Sequence, residues 1–336
     1  MILRHLRYIC FSLAAALAFT GCITEDLPEC PNEYDLKIVF DRNMLYADAF
    51  ASQVKSVDIK VYDSSTGREV YAFSDKGDAL AAEGYRVTLP IPPGTYDILC
   101  WGSMAEGNAF GYADPAANTL QQQRVLLNTV NGESGDRLNN LFHGLLQSAT
   151  FTDNNDTGSI EPQTATIYLT KNTNRINVIL HNLDGTEMQT SAFTFSISSA
   201  NAEMSYDNTL GARREVVYTP WHISPVLSDT EASSARALTP SALMAEFSLA
   251  RLVEKGDSRL DVHRTADGER IISIPLERNL LLYKGEFHAA MTAQEYLDRQ
   301  DDYTITFILD KNNNWDKAAM IYINDWATPP VQYQEW

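Results

Sequence analysis

Apolar and polar residues alternate with a period of two in segment after segment, and this constrains the fold more than any other feature of the chain. In "VKSVDIKVYD" Val57, Ile59 and Val61 share one face and Ser56, Asp58 and Lys60 the other. "FTFSIS" sets Phe193, Phe195 and Ile197 against Thr194, Ser196 and Ser198, and "YTITFIL" repeats the pattern with Tyr303, Ile305 and Phe307. A period of two with one wet face predicts antiparallel sheets that each bury one side. Further strands are predicted in "DLKIVF", "EVYAF", "YRVTL", "TYDILCW", "ATIYLT", "RINVILH", "AEFSLA", "RIISIPL" and "MIYIN". Helical signals are few. "TAQEYLDRQ" offers Thr292 and Glu295 as a capping box, and "DRLNNLF" has the spacing of a second short helix. The reading is an all-β sandwich architecture.

Turn chemistry punctuates the strands. Pro93 and Gly94 predict a hairpin between strands ending at Leu89 and starting at Thr95. Residues 225–240, "PVLSDTEASSARALTP", lack periodicity and predict a long loop. The pattern lapses around "FTDNNDTGSIEP" and resumes in "ATIYLTKNTNRINVILHN" as two strands about a polar turn, which places a domain boundary near residue 170.

The N-terminus carries an address. Arg4 and Arg7 precede an apolar run from Tyr8 to Phe19, long enough for a secretory signal and too short to span a membrane. Thr20 and Gly21 then lead into Cys22, which resembles a bacterial lipobox cysteine: residues 1–21 read as signal peptide, Cys22 as the lipidation site and 22–33 as a lipidated leader. Glu25 and Asp26 resemble a surface-export mark, though acids there also keep a linker solvated. Without the signal, 24 basic residues face 44 acidic ones, a formal charge of −20. Such a chain lacks the basic face that nucleic acid requires. Cys10 leaves with the signal, so Cys30 and Cys100 remain, either as a disulfide or as two free buried thiols.

The familiar signatures of metal, nucleotide and nucleophile chemistry are missing: there is no H-E-x-x-H, C-x-x-C, G-x-S-x-G, P-loop or G-x-G-x-x-G. His5, His143, His181, His222, His263 and His288 are scattered singly. Two calcium-loop imitations fail, "DNNDTG" because Thr164 stands at the position of the bidentate Glu, and "DKNNNWD" because Trp315 stands where glycine must turn. Both read as polar loops between strands. No catalytic residue, metal or cofactor is expected. Trp101, Trp221, Trp315, Trp326 and Trp336 leave a second function open, in which aromatic platforms make the protein a surface glycan-binding lipoprotein of a polysaccharide-uptake system.

An ordered set of segments also resembles a known family. "DLPECP" (26–31), "YDLKIVFDRNMLYADAFASQVKSVDIKVYD", "LPIPPGTYDILCWG", "LFHG" (141–144), "IYLTKNTNRINVIL", "YLDRQDDYTITFILD" and "IYINDW" are similar to the FimB-like fimbrial anchor family, outer-membrane lipoproteins of type V pili. The resemblance implies two tandem transthyretin-like sandwiches, here 34–170 and 171–336 with a short C-terminal tail, tethered to the cell outer membrane through Cys22 and exposed at the surface. It implies no catalytic site and a shaft pilin as partner, joined by strand pairing. On this analogy "DLKIVF" is a retained first strand, while Arg42 just after it is where an arginine-specific protease would cut a shaft subunit. The tail "VQYQEW" alternates Val331, Tyr333 and Glu335 against its neighbours, so it reads as a partner strand or as a frayed terminus.

Overall fold

The computed structural model describes residues 32–154, 161–182, 184–212, 214–226, 241–285, 288–317, 321–324 and 326–328. In the first part of the chain these form β1 (Tyr34–Val39), β2 (Ser56–Asp63), β3 (Glu69–Lys76), β4 (Arg86–Thr88), β5 (Gly94–Gly102), β6 (Phe110–Tyr112), β7 (Arg124–Leu127), β8 (Glu133–Ser134), β9 (Phe142–Phe151), β10 (Gln163–Tyr168) and β11 (Thr170–Lys171). The second part adds β12 (Thr173–Asn182), β13 (Phe193–Ser199), β14 (Glu203–Ser205), β15 (Val216–Tyr218), β16 (His222–Val226), β17 (Ala242–Ala250), β18 (Arg259–Arg264), β19 (Arg270–Pro275), β20 (Asp302–Leu309), β21 (Ile321–Ile323) and β22 (Trp326–Thr328). Among the described residues three short helices, α1 (Phe50–Gln53), α2 (Leu276–Lys284) and α3 (Ala293–Arg299), complete the regular elements alongside a few 3-10 turns. The protein is all-β, as the alternation requires.

Two hydrophobic cores organise these strands. The first lies between the three-stranded sheet β10-β1-β4 and the five-stranded sheet β11-β9-β5-β2-β3, and is filled by Leu36, Ile38, Val57, Ile59, Ile98 and Cys100 among others. The larger core lies between the six-stranded sheet β16-β17-β12-β20-β21-β22 and the five-stranded sheet β19-β18-β13-β15-β8. It extends through the small sheet β14-β7-β6 onto the other face of β2 and β5, where Tyr62, Leu99 and Trp101 are buried. Strand β5 is therefore covered on both faces, which is why "ILCW" is apolar without a break.

Most pairings are antiparallel, but β1 with β10, β12 with β20 and β15 with β8 are parallel. Parallel partners need a long crossover, and more than 100 residues separate each of the first two pairs. Residues 167–169 cross close over β9. A Cβ at Gly144 would meet Leu169 Cδ2 at 2.8 Å and Tyr168 O at 3.1 Å, so the glycine in "LFHG" gives this crossing its room.

Several sequence expectations need correction. Pro93 and Gly94 do not close a hairpin, because β4 belongs to the sheet of β1 and β5 to the sheet facing it; the turn carries the chain from one layer to the other. "DRLNNLF" is not helical: Asn139 Nδ2 donates to Ser103 O at 2.8 Å and to Asn140 O at 3.2 Å, holding an irregular segment that ends in β9. The loop predicted from residue 225 starts later, since Pro225 and Val226 end β16 on the edge of its sheet, where proline is tolerated. Residues 227–240 lie outside the described residues. Helix α3 forms where expected, and Thr292 Oγ1 accepts the Glu295 N–H at 3.0 Å. Only that half of the capping box is made, because Glu295 turns its carboxylate to Arg299 Nε at 3.0 Å.

Candidate attachment sites

The first described strand is embedded, not appended. β1 pairs with β10 over six residues from Tyr34↔Gln163 to Val39↔Tyr168, and with β4 through Asp35, Leu36 and Lys37. Tyr34, Leu36 and Ile38 are buried in the first core, and Tyr34 Oη donates to Thr152 O at 3.0 Å. A strand with partners on both sides and a buried face is held by its whole length.

The turn that follows β1 is held as firmly. Asn43 Nδ2 donates to Phe40 O at 3.0 Å and Ala47 O at 2.7 Å, and Asp48 Oδ1 accepts the N–H groups of Phe40 and Phe50, each at 3.0 Å. From α3, Arg299 Nη1 donates to Asp41 O at 3.0 Å and Asn43 O at 3.3 Å, with its guanidinium 4.5 Å from the centre of the Tyr46 ring. Arg42 is exposed, and its Nη1 donates to Thr170 Oγ1 at 3.2 Å. Nothing in linear spacing announces a contact between residue 299 and residues 41–46. A cation in the last turn of a predicted helix reads first as a partner of the helix dipole.

At the opposite end, β22 is the outer strand of the six-stranded sheet and pairs with β21 from Ile321↔Thr328 to Ile323↔Trp326. Its other edge has no partner strand among the described residues, and an edge of this kind can template another strand. The tail residues Val331, Tyr333 and Glu335 lie outside the described residues, as do Cys22 and Cys30. Cys100 is fully buried on β5, where burial, reinforced by Asp58, pushes its thiol pKa upward. It has no disulfide partner among the described residues.

The aromatic residues divide between core and surface. Trp101 is wholly buried with its ring centre 4.8 Å from that of His143, and Trp315 packs edge-on against Phe307. The side chains of Trp326 and Trp336 lie outside the described set. Half-buried Trp221 borders a cleft of about 440 Å³, but Arg137 lies over its indole at 5.5 Å and His222 stacks beside it, so it is not a bare platform. His143 is buried, and burial pushes its pKa down to about 4; its Nε2 contacts Tyr206 O at 2.7 Å. Asp310 in "DKNNNWD" accepts the N–H groups of Asn312 and Asn314 at 2.8 and 2.9 Å, a closed polar turn. Of "DNNDTG", residues 155–158 are not described. Among the described residues no group of three His, Cys, Asp or Glu side chains is placed to hold a metal ion.

The family described as fimbrillin-A associated anchor proteins Mfa1 and Mfa2 matches residues 27–329. Among solved structures, a candidate adhesin from Bacteroides thetaiotaomicron VPI-5482 is 31% identical and superposes with a TM-score of 0.80, covering 91% of this chain and 100% of its own. A candidate adhesin from Bacteroides ovatus is 26% identical with a TM-score of 0.72, covering 91% and 96%. The fimbrial anchor protein Mfa2 from Porphyromonas gingivalis shares the fold with a TM-score of 0.69 at 16% identity, covering 90% and 100%. No curated protein matches the sequence.

Proposed function

The chain belongs to the family of fimbrillin-A associated anchor proteins Mfa1 and Mfa2, and from that membership we propose that it roots a fimbria in the outer membrane. Lipid on Cys22 holds one end, and strand pairing at the C-terminal end joins it to a shaft pilin. The role is mechanical, not catalytic. The finer likeness to FimB-like anchors of type V pili belongs to the same reading, with exposure at the cell surface and two transthyretin-like sandwiches spanning 34–170 and 171–336. Two cores, each between a pair of sheets, support two sandwiches, with β6, β7 and β8 of the first segment contributing to the second core.

The position of β1 supports the anchor role most directly. A leader that starts at a lipidated Cys22 meets the fold at Asn32 and Glu33, which bond to Asn154 and Gln163, and runs directly into β1. The hydrogen bonds of β1 to β10 and β4 then hold the tethered end along the strand. The edge of β22, unpaired among the described residues, supports the other half of the reading, since the alternating sequence "VQYQEW" follows it in the chain.

The tether is tested by fractionation and mass. The mature protein should begin at an acylated Cys22 and sediment with membranes, and Cys22→Ala should release a folded protein into the soluble fraction. An unmodified Cys22, or a variant that stays in the membrane, contradicts the lipid anchor.

A further inference from the structure

The proposed anchor role makes no use of the cleft beside Trp221. It opens between the irregular segment 137–140, the start of β12 and the start of β20. Its volume of about 440 Å³ lies within the range of small-molecule sites. Two of its three cations are neutralised in place: Lys171 pairs with Asp301, and Arg175 with Asp302 at 3.4 Å. The third, Arg137, has no carboxylate partner among the described residues, in a chain whose formal charge is −18. The Trp221 indole beneath its guanidinium orients that charge at the rim.

The uncharged lining also points to a ligand. The side chains of Asn140 and Ser248 make no hydrogen bond among the described residues, and Asn174 is held only by a 3.4 Å bond from Nδ2 to Ala250 O. The apolar lining residues Leu138 and Phe247 are buried in the larger core. A protein partner is gripped through apolar anchor pockets, and these are missing here. An oriented guanidinium next to open amides and a hydroxyl instead suits a carboxylate carried on a ring rich in hydroxyls.

A second cleft, of about 650 Å³, shares Arg137, Leu138 and Asn139 as its wall. Asn108, Asn128, Thr129 and Asn131 line it, with Glu106, Glu133 and Asp136 as acids. It offers a ligand room to continue past Arg137, but its acids disfavour a second carboxylate close by.

We propose that these two neighbouring clefts, which share Arg137, bind a saccharide in which a uronic acid unit, held by Arg137, is followed by a neutral sugar. The site is independent of the anchor role, so either reading survives the failure of the other.

Titration calorimetry on the full-length protein in detergent tests the proposal, with a hyaluronan tetrasaccharide as probe because its uronates alternate with neutral N-acetylated sugars. The wild type should bind it, and Arg137→Ala should weaken binding by tenfold or more, the scale of one charge-assisted contact. Arg137→Lys should fall between, and thermal unfolding of both variants should match the wild type because residue 137 is exposed. An uncharged chitin tetrasaccharide should bind the wild type at least tenfold more weakly, with no further loss in Arg137→Ala. Absence of binding by the wild type, equal affinity of wild type and Arg137→Ala, or tighter binding of an oligo-glutamate peptide than of the saccharide would each overturn it.

Discussion

Replacing Arg299 with Met should expose the bond between Arg42 and Asn43 to trypsin. In the wild type that bond lies in a turn whose carbonyls at Asp41 and Asn43 accept from Arg299, while Tyr46 packs against its guanidinium. Two hydrogen bonds from a charged donor, one of them long, contribute about 2 kcal/mol together, and an exposed cation–π contact adds about 0.5–1 kcal/mol. The pair with Glu295 lies within α3 and does not hold the turn. Opening of the turn should therefore become easier by about 2–3 kcal/mol. Cleavage that follows the population of the open form rises with it, by roughly 30- to 150-fold. Limited digestion, with the fragment starting at Asn43 followed by mass spectrometry, measures the ratio, and Arg299→Lys should restore part of the protection. A ratio within about threefold would refute the argument and show that contacts other than Arg299 govern access to Arg42.

Leu36→Ala, which truncates a fully buried side chain on β1, should cost about 3 kcal/mol in urea unfolding; a loss below about 1 kcal/mol would mean that β1 is not packed as described. Two buried groups set opposing pH dependences. Burial raises Glu277 to about 7, so its contribution to stability is largest when it is protonated and declines as pH rises from its unfolded value through 7. Burial lowers His143 to about 4, so its contribution is present above the unfolded value near 6.5 and is lost as pH falls toward 4. Between pH 5 and 6.5 the two slopes oppose each other. Glu277→Gln should therefore uncover a loss on the order of 1.4 kcal/mol per pH unit on acidification, read from denaturant midpoints at pH 5 and 6.5, and an unchanged profile would contradict it. Cys100 is proposed to pair with Cys30: the denatured protein should then gain about 2 Da on reduction and bind no maleimide before it. Labelling of Cys100 in unreduced denaturant would show a free thiol instead.

Strands were legible where alternation is strict, whereas β9, whose pattern is broken, was not expected. β2, β13 and β20 follow from alternation because Asp58, Thr194 and Thr304 sit between buried neighbours, and α3 followed from Thr292. Helix α2 was not expected because its first residue, Leu276, continues the apolar pattern of β19. Leu276, Leu280 and Tyr283 at helical spacing, with Gly285 just past the end, were the available signal. "DRLNNLF" shows the opposite failure: Leu138 and Leu141 have helical spacing, but both feed the larger core from an irregular segment. Layer assignment was not legible at all. Whether β4 and β5 make a hairpin depends on β1 entering between β4 and β10, a pairing set by a crossover of more than 100 residues. The cleft was hidden for the same reason, since Arg137, Asn174, Trp221 and Asp301 lie far apart in the sequence.

The anchor role rests most directly on strand pairing at the C-terminal end. Cells producing a chain truncated after residue 328 keep β22, so the fold and the membrane tether should survive while the proposed partner strand is removed. Affinity purification of the truncated protein from detergent-solubilised membranes, against the full-length protein, measures the shaft pilin that comes with it. Pilin should copurify with the full-length chain and be lost from the truncated one, with shaft shed into the medium. Equal pilin recovery from both would contradict it.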